Sequence, residues 1–196
     1  MRMKRVLIYG DSNTYGYDPG DFFGGRYLRE ERWTTILQKK LKDTHELIVD
    51  GMNGRQIPDV SRDQGYLEHL IRVNRPLDLF AVMLGTNDLL MTNPPDASVP
   101  AAKMEKFLDW LKERSAASQI LVIAPPYIGE GGDAYLKACH KESQTMNQIF
   151  EKTAADHQVL FVNAGLWNIG LAWDQVHLSR QGCADFAEKL GEVLAG

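Results

Sequence analysis

The 196-residue chain predicts an α/β fold: three layers, α/β/α, around a five-stranded parallel sheet. Two observations carry this. Five short runs are apolar on both faces and rich in β-branched residues, as strands covered by helices on both sides are. The stretches between them space their apolar residues at three and four, the period of a helix with one buried face. Strand alternating with helix five times implies a sheet sandwiched between two helical layers.

The first run, RVLIY (5–9), ends on the polar, glycine-punctuated GDSNTYG (10–16). In ERWTTILQKKL, Trp33, Ile36, Leu37 and Leu41 form one helical face. ELIVD (46–50) and LFAVMLG (79–85) supply the second and third strands. Met104, Phe107, Leu108 and Leu111 repeat the helical spacing before ILVIA (120–124), and Met146, Ile149 and Phe150 repeat it before VLFVN (159–163). The last helix, in LSRQGCADFAEKLGEVL, starts at Ser179, whose hydroxyl suits an N-cap. No linker, repeat or low-complexity segment interrupts the pattern, so residues 1–196 read as a single domain.

Composition narrows the function classes. With 44% hydrophobic and 24% charged residues, the make-up is that of a globular protein. A net charge of −4, with no basic run longer than two residues, argues against nucleic acid as partner, because phosphate binding needs clustered Lys and Arg. The start, MRMKRVLIYGDS, has too short an apolar stretch for a signal peptide. No segment reaches the roughly 20 apolar residues of a membrane span. A cytoplasmic protein without a membrane partner is the expectation. Cys139 and Cys183 stand far apart with no CxxC, which fits buried thiols rather than a disulfide or metal site.

In such sheets chemistry gathers at the carboxyl ends of the strands, where loops lead into helices. The five ends are GDSNTYG (10–16), GMNGR (51–55), GTND (85–88), PPYIGEGG (125–132) and NAGLWNIGLAWDQVH (163–177). Taken alone, Ser12 is better explained as a helix cap than as a nucleophile. A nucleophilic serine needs a base, a group that orients the base, and donors for the oxyanion. His45, His69, His140 and His157 fall at strand edges or in helical stretches, whereas His177 sits in a loop just before the last helix. Asp174, three residues earlier in DQVH, is spaced so that a carboxylate can fold back onto the imidazole. Asn87 in GTND either closes an Asx turn or aims its amide at the strand ends. Gly54 is either a turn glycine or a point where a backbone N–H approaches a substrate unobstructed. Asp11 and Asp88 read as structural carboxylates that tie down loop N–H groups. Ser12, Gly54, Asn87 and His177 at four different strand ends favour the catalytic reading.

These blocks resemble those of the SGNH hydrolase superfamily, also called the GDSL esterase/lipase family, which is marked by Ser, Gly, Asn and His blocks and a closing DxxH. GDSNTYG matches the first, with Asn13 where leucine or isoleucine is usual. NGR in GMNGR is similar to the second, GTND to the third and DQVHLS to the last. RWTTILQKKL after the first block resembles the family's arylesterase and acyltransferase branch. The resemblance spans residues 10 to 179 and implies a flavodoxin-like sheet of order 2-1-3-4-5, with ester hydrolysis through a serine acyl-enzyme. It makes Ser12 the nucleophile, His177 the base and Asp174 its orienting carboxylate. The N–H groups of Ser12 and Gly54 and the amide of Asn87 become the oxyanion donors. The expected partner is a small-molecule ester. No metal or cofactor is expected, since the sequence has no HExxH and no clustered His/Cys/carboxylate set.

Substrate size is expected from the longer loops, 17–31, 89–100 and 164–177. Convergence of Asn13, Phe22, Phe23, Met91, Trp167 and Trp173 on Ser12 would leave a shallow apolar pocket for acetyl to butyryl groups. Other placements stay open: Phe22 and Phe23 against a neighbouring subunit of a homo-oligomer or packed on their own domain, Trp167 and Trp173 in the core. Acetylated carbohydrates, lysophospholipids and thioesters are alternative substrates, and transfer of the acyl group to an alcohol is an alternative outcome. Two non-enzymatic readings compete. GEGGDA (129–134) is a degenerate dinucleotide fingerprint that would suit a flavodoxin-like nucleotide-binding module, but it does not come directly off a strand. A silent scaffold binding carbohydrate or a partner is opposed by the presence of all four blocks and Asp174.

Overall fold

The computed structural model describes residues 2–114 and 117–196. Its strands are β1 (Lys4–Gly10), β2 (His45–Gly51), β3 (Leu79–Met83), β4 (Gln119–Ala124) and β5 (Leu160–Asn163). All pair in parallel, in the order β2-β1-β3-β4-β5. The helices are α1 (Ser12–Tyr15), α2 (Trp33–Lys40), α3 (Val60–Asn74), α4 (Thr86–Leu90), α5 (Ser98–Arg114), α6 (Ala134–Asp156) and α7 (Arg180–Ala195).

Side chains that alternate along each strand feed two separate cores. Leu7 and Tyr9 of β1 pack with α3, α5 and α6 through Leu67, Ile71, Phe107, Leu111 and Phe150. Val6 and Ile8 pack on the other face with Trp33 and Leu37 of α2 and Phe186 and Leu190 of α7. Cys139 lies in the first core and Cys183 in the second, both buried and free. The expected helical faces are therefore the buried ones, and Ser179 caps α7 by accepting the Gly182 N–H at 3.0 Å.

The expectation that every strand is covered on both sides holds for β1, β3 and β4 only. Val49 in β2 and Leu160 in β5 are exposed, because an edge strand has one neighbour and the helices cover the centre of the sheet. Two helices go beyond the sequence expectations. In α3 only Leu67 and Ile71 are buried, too few for a strong periodic signal. GTND, expected as a loop, begins the single-turn α4, with Gly85 at its N-cap. Among the described residues no helix is long and apolar enough to cross a membrane.

Register decides where the site forms. Gly10 at the end of β1 pairs with Gly51 on one side and Met83 on the other. The segments that follow β1, β2 and β3 thus leave the sheet at one level, on its carboxyl edge.

Candidate active site

Ser12 is the first residue of α1, directly after the Asp11 cap. The Asp11 carboxylate accepts the Asn13 N–H at 2.9 Å, and the Trp33 indole N–H donates to the Asn13 carbonyl at 2.8 Å. These bonds pin the serine turn from both ends. Burial pushes the Asp11 carboxyl up to about 6, against the Asn13 hydrogen bond and the charges of His177 and Arg55.

His177 reaches Ser12 from the segment between β5 and α7. Asp174 folds its own loop: Oδ1 accepts the N–H groups of Val176 (3.1 Å) and His177 (3.0 Å), while Oδ2 lies 2.5 Å from His177 Nδ1. A carboxylate can only accept, so Nδ1 carries the proton and Nε2 presents its lone pair. Nε2 stands 2.9 Å from Ser12 Oγ. Burial alone would raise the Asp174 carboxyl, but the bonds from the His177 ring and the two backbone N–H groups bring it below its ordinary value. The Tyr17 ring lies over His177, with centroids 4.6 Å apart.

The second wall comes from the ends of β2 and β3. Met52 to Arg55 form a turn closed by Arg55 N–H on the Met52 carbonyl at 3.2 Å. Gly54 sits at its third position with φ +72°, a conformation that favours glycine, and the space where a Cβ would stand is open. Gly51 differs: a Cβ there would run into the backbone of Thr14 and Tyr15, so that glycine serves close packing of β2 on α1. Asn87 donates one amide N–H to the Arg55 carbonyl at 3.0 Å, and its amide carries a second donor. Asp88 accepts the Ile57 N–H at 3.0 Å and the Lys103 ammonium at 2.6 Å. Burial raises its carboxyl despite Lys103. Asp11 and Asp88 both tie down loop N–H groups, as their positions predicted.

The sequence and fold of the chain match known proteins. The profile of the GDSL-like Lipase/Acylhydrolase family matches residues 8–184. The chain belongs to this family. The GDSL lipase Rv0518 of Mycobacterium tuberculosis (strain ATCC 25618 / H37Rv) is 26% identical over 128 residues, 64% of this chain and 54% of its own. The chain thus spans about half the length of that relative. Est24, a carbohydrate acetylesterase from Sinorhizobium meliloti, superposes with a TM-score of 0.80 at 26% identity over 98% of each chain. A protein of Agrobacterium tumefaciens str. C58, provisionally named an arylesterase, superposes at 0.83 with 28% identity, covering 98% of this chain and 99% of that one.

Around the candidate site of this GDSL-family chain the expected pocket residues are scattered. A cavity of 570 Å³ opens beside the Gly54 turn, lined among others by Met52, Arg55, Ile57, Tyr66 and Met91. Of the six expected lining residues only Met91 borders it. Asn13 is a buried brace: its Oδ1 accepts the Leu178 N–H at 2.9 Å, and its Nδ2 donates to the Val176 carbonyl at 3.3 Å. Phe22 and Phe23 are 96% and 94% exposed and touch each other edge to face, so neither packs on the domain. Trp167 packs edge-on against Phe186. Trp173 is 76% exposed, donating to the Pro19 carbonyl at 3.1 Å, so neither the pocket nor the core claims it. Aromatic content in a loop predicts burial, but only Trp167 packs against a core here, while Phe22, Phe23 and Trp173 stay in solvent. GEGGDA leads into α6, where the Asp133 carboxylate caps the helix by accepting the Leu136 N–H at 2.8 Å. Sequence patterns did not single out Arg55, Tyr17 or Tyr27, whose hydroxyl donates to the Leu178 carbonyl at 3.0 Å. Their partners are distant in sequence, and only the N-G-R triplet hinted at Arg55.

Proposed function

We propose that this chain is a serine ester hydrolase that cleaves short acyl esters, acetyl to butyryl, through an acyl-enzyme. The observation that carries this is the hydrogen-bonded line from Asp174 Oδ2 through His177 to Ser12 Oγ, at 2.5 and 2.9 Å. Ser12 Oγ attacks the ester carbonyl while His177 Nε2 accepts its proton and then returns it to the departing alcohol. Asp174 keeps the tautomer and stabilises the imidazolium. The N–H groups of Ser12 and Gly54 and the free amide N–H of Asn87 receive the oxyanion. Water releases the acyl group, or a second alcohol takes it in transfer.

The acetyl end of the range is supported by the likeness to Est24, itself a carbohydrate acetylesterase. Two measurements test the proposal. An organophosphonate should label Ser12 covalently, with the adduct located by peptide mass spectrometry. Across p-nitrophenyl esters of rising length, kcat/KM should peak between acetyl and butyryl, since each further CH₂ adds about 0.8 kcal/mol only while it is buried. A peak at octanoyl or beyond would replace this reading with a lipase or thioesterase. Label on any other residue would remove Ser12 from the mechanism.

A further inference from the structure

Arg55 is 5% exposed, an unusual place for a guanidinium. Its Nη1 donates to the carbonyls of Gly10 (2.9 Å) and Asp50 (2.6 Å), and its Nη2 donates to Asp50 Oδ1 (2.9 Å). The guanidinium carbon lies 4.1 Å from the centre of the Tyr9 ring. Meanwhile the Arg55 main chain faces the site: its carbonyl accepts the Asn87 amide, and its N–H closes the turn that carries Gly54. One residue therefore touches the end of β1 two positions before Ser12, the end of β2, and the amide that follows β3.

A buried charge is expensive to desolvate, and an apolar side chain of similar volume is often as stable or more so. Its position is better accounted for by geometry. Oxyanion donors act by being fixed where charge will develop, and a misplacement of about 1 Å can cost 10²-fold. We propose that Arg55 is a positioning residue that keeps the Ser12 N–H, the Gly54 N–H and the Asn87 amide in mutual register. This rests on reading those three groups as the oxyanion donors. The planar fork lets Nη2 hold the Asp50 carboxylate while Nη1 joins the Gly10 and Asp50 carbonyls, and a lysine ammonium is a single point.

The test is a double-mutant cycle on a short-chain aryl ester, with circular dichroism confirming that each variant is folded. Asn87→Ala should lower kcat about 10²-fold. Arg55→Lys should lower kcat about 10-fold with KM within about twofold of wild type. The double variant should lose less than the product of the two single losses, because part of the arginine's effect runs through the amide already removed. Losses that multiply, as independent defects do, overturn the proposal, and so does a change confined to KM. Asn87→Ala with unchanged kcat overturns the oxyanion reading itself, so the two failures are told apart. If Arg55→Lys does not fold, Asp50→Ala takes its place, removing the Nη2 acceptor while leaving the arginine. It should lower kcat about threefold alone and by clearly less than threefold on top of Asn87→Ala. No effect alone, or a multiplied loss, overturns the proposal.

Discussion

Two loops on the carboxyl side of the sheet, residues 164–179 and 17–27, carry bulky side chains, yet they are built in opposite ways. The first is braced from many directions. Ala172 N–H bonds the His177 carbonyl at 2.7 Å, Gly129 N–H bonds the Gln175 carbonyl at 2.7 Å, and Asn13 and Tyr27 grip Leu178. That bracing is strong enough to keep Gln175 at φ 63°, where residues with a Cβ are rare. The middle of the second loop is held by its own short acids: Asp18 accepts the Gly20 N–H and Asp21 the Phe23 N–H, leaving both phenylalanines in solvent. Only its ends engage the site, through Tyr17 over His177 and Tyr27 on Leu178. Side chains that must stay within tenths of an ångström need partners from other elements, while the turn around Phe22 and Phe23, tied by its own acids, carries aromatics without placing them against the domain.

The largest expected effect lies where the braced loop meets Ser12. Ser12→Ala should lower kcat/KM for p-nitrophenyl acetate by more than about 10³-fold with an unchanged melting temperature. Residual activity above about a tenth of wild type would reject Ser12 as nucleophile and remove the reason for the bracing. Next in size is the brace. Asn13→Ala leaves the Leu178 N–H without its acceptor, which should cost about 1–3 kcal/mol in denaturant melts. It should also lower kcat about 10-fold as His177 loosens. Wild-type values in both would mean that Asp174 alone holds the histidine.

The base of the serine turn yields a pH signature. The folded Asp11 carboxyl sits at about 6 against an ordinary 3.8, so the folded state binds its proton more tightly than the unfolded chain does. Its contribution is therefore greatest below the ordinary value and is lost as pH rises through about 6. Asp11→Asn keeps a neutral acceptor for the Asn13 N–H without the buried charge. The variant should melt above wild type at pH 8, by on the order of 2–3 kcal/mol, and the gain should vanish toward pH 4. A gain that grows toward acid would show that His177 and Arg55 outweigh burial.

The smallest effect belongs to the tip of the second loop. Phe22→Ser and Phe23→Ser should change stability by no more than about 0.5 kcal/mol and leave kcat/KM unaltered. A measurable activity loss in either would mean that this loop reaches the site, and the contrast between the two loops would collapse.

The sequence by itself determined the layers, the five strands, the faces of α2, α5 and α6, and the cap of α7 at Ser179, because each depends on neighbours one to four residues away. The blocks around Ser12, Gly54 and Asn87 were legible for a related reason: each closely follows a strand end, and strand ends are local, while His177 stood out just before the last helix. Asp174 and His177 find each other within one turn of chain. Tertiary structure decided what depends on distant partners. It turned Asn13 from an expected pocket residue into the strap on Leu178, 165 positions away. It buried Arg55 against Gly10, 45 positions away, and left Phe22 and Phe23 in solvent. Side-chain type tells what a residue can bond, but only the register of β1 between β2 and β3 sets which groups come within reach.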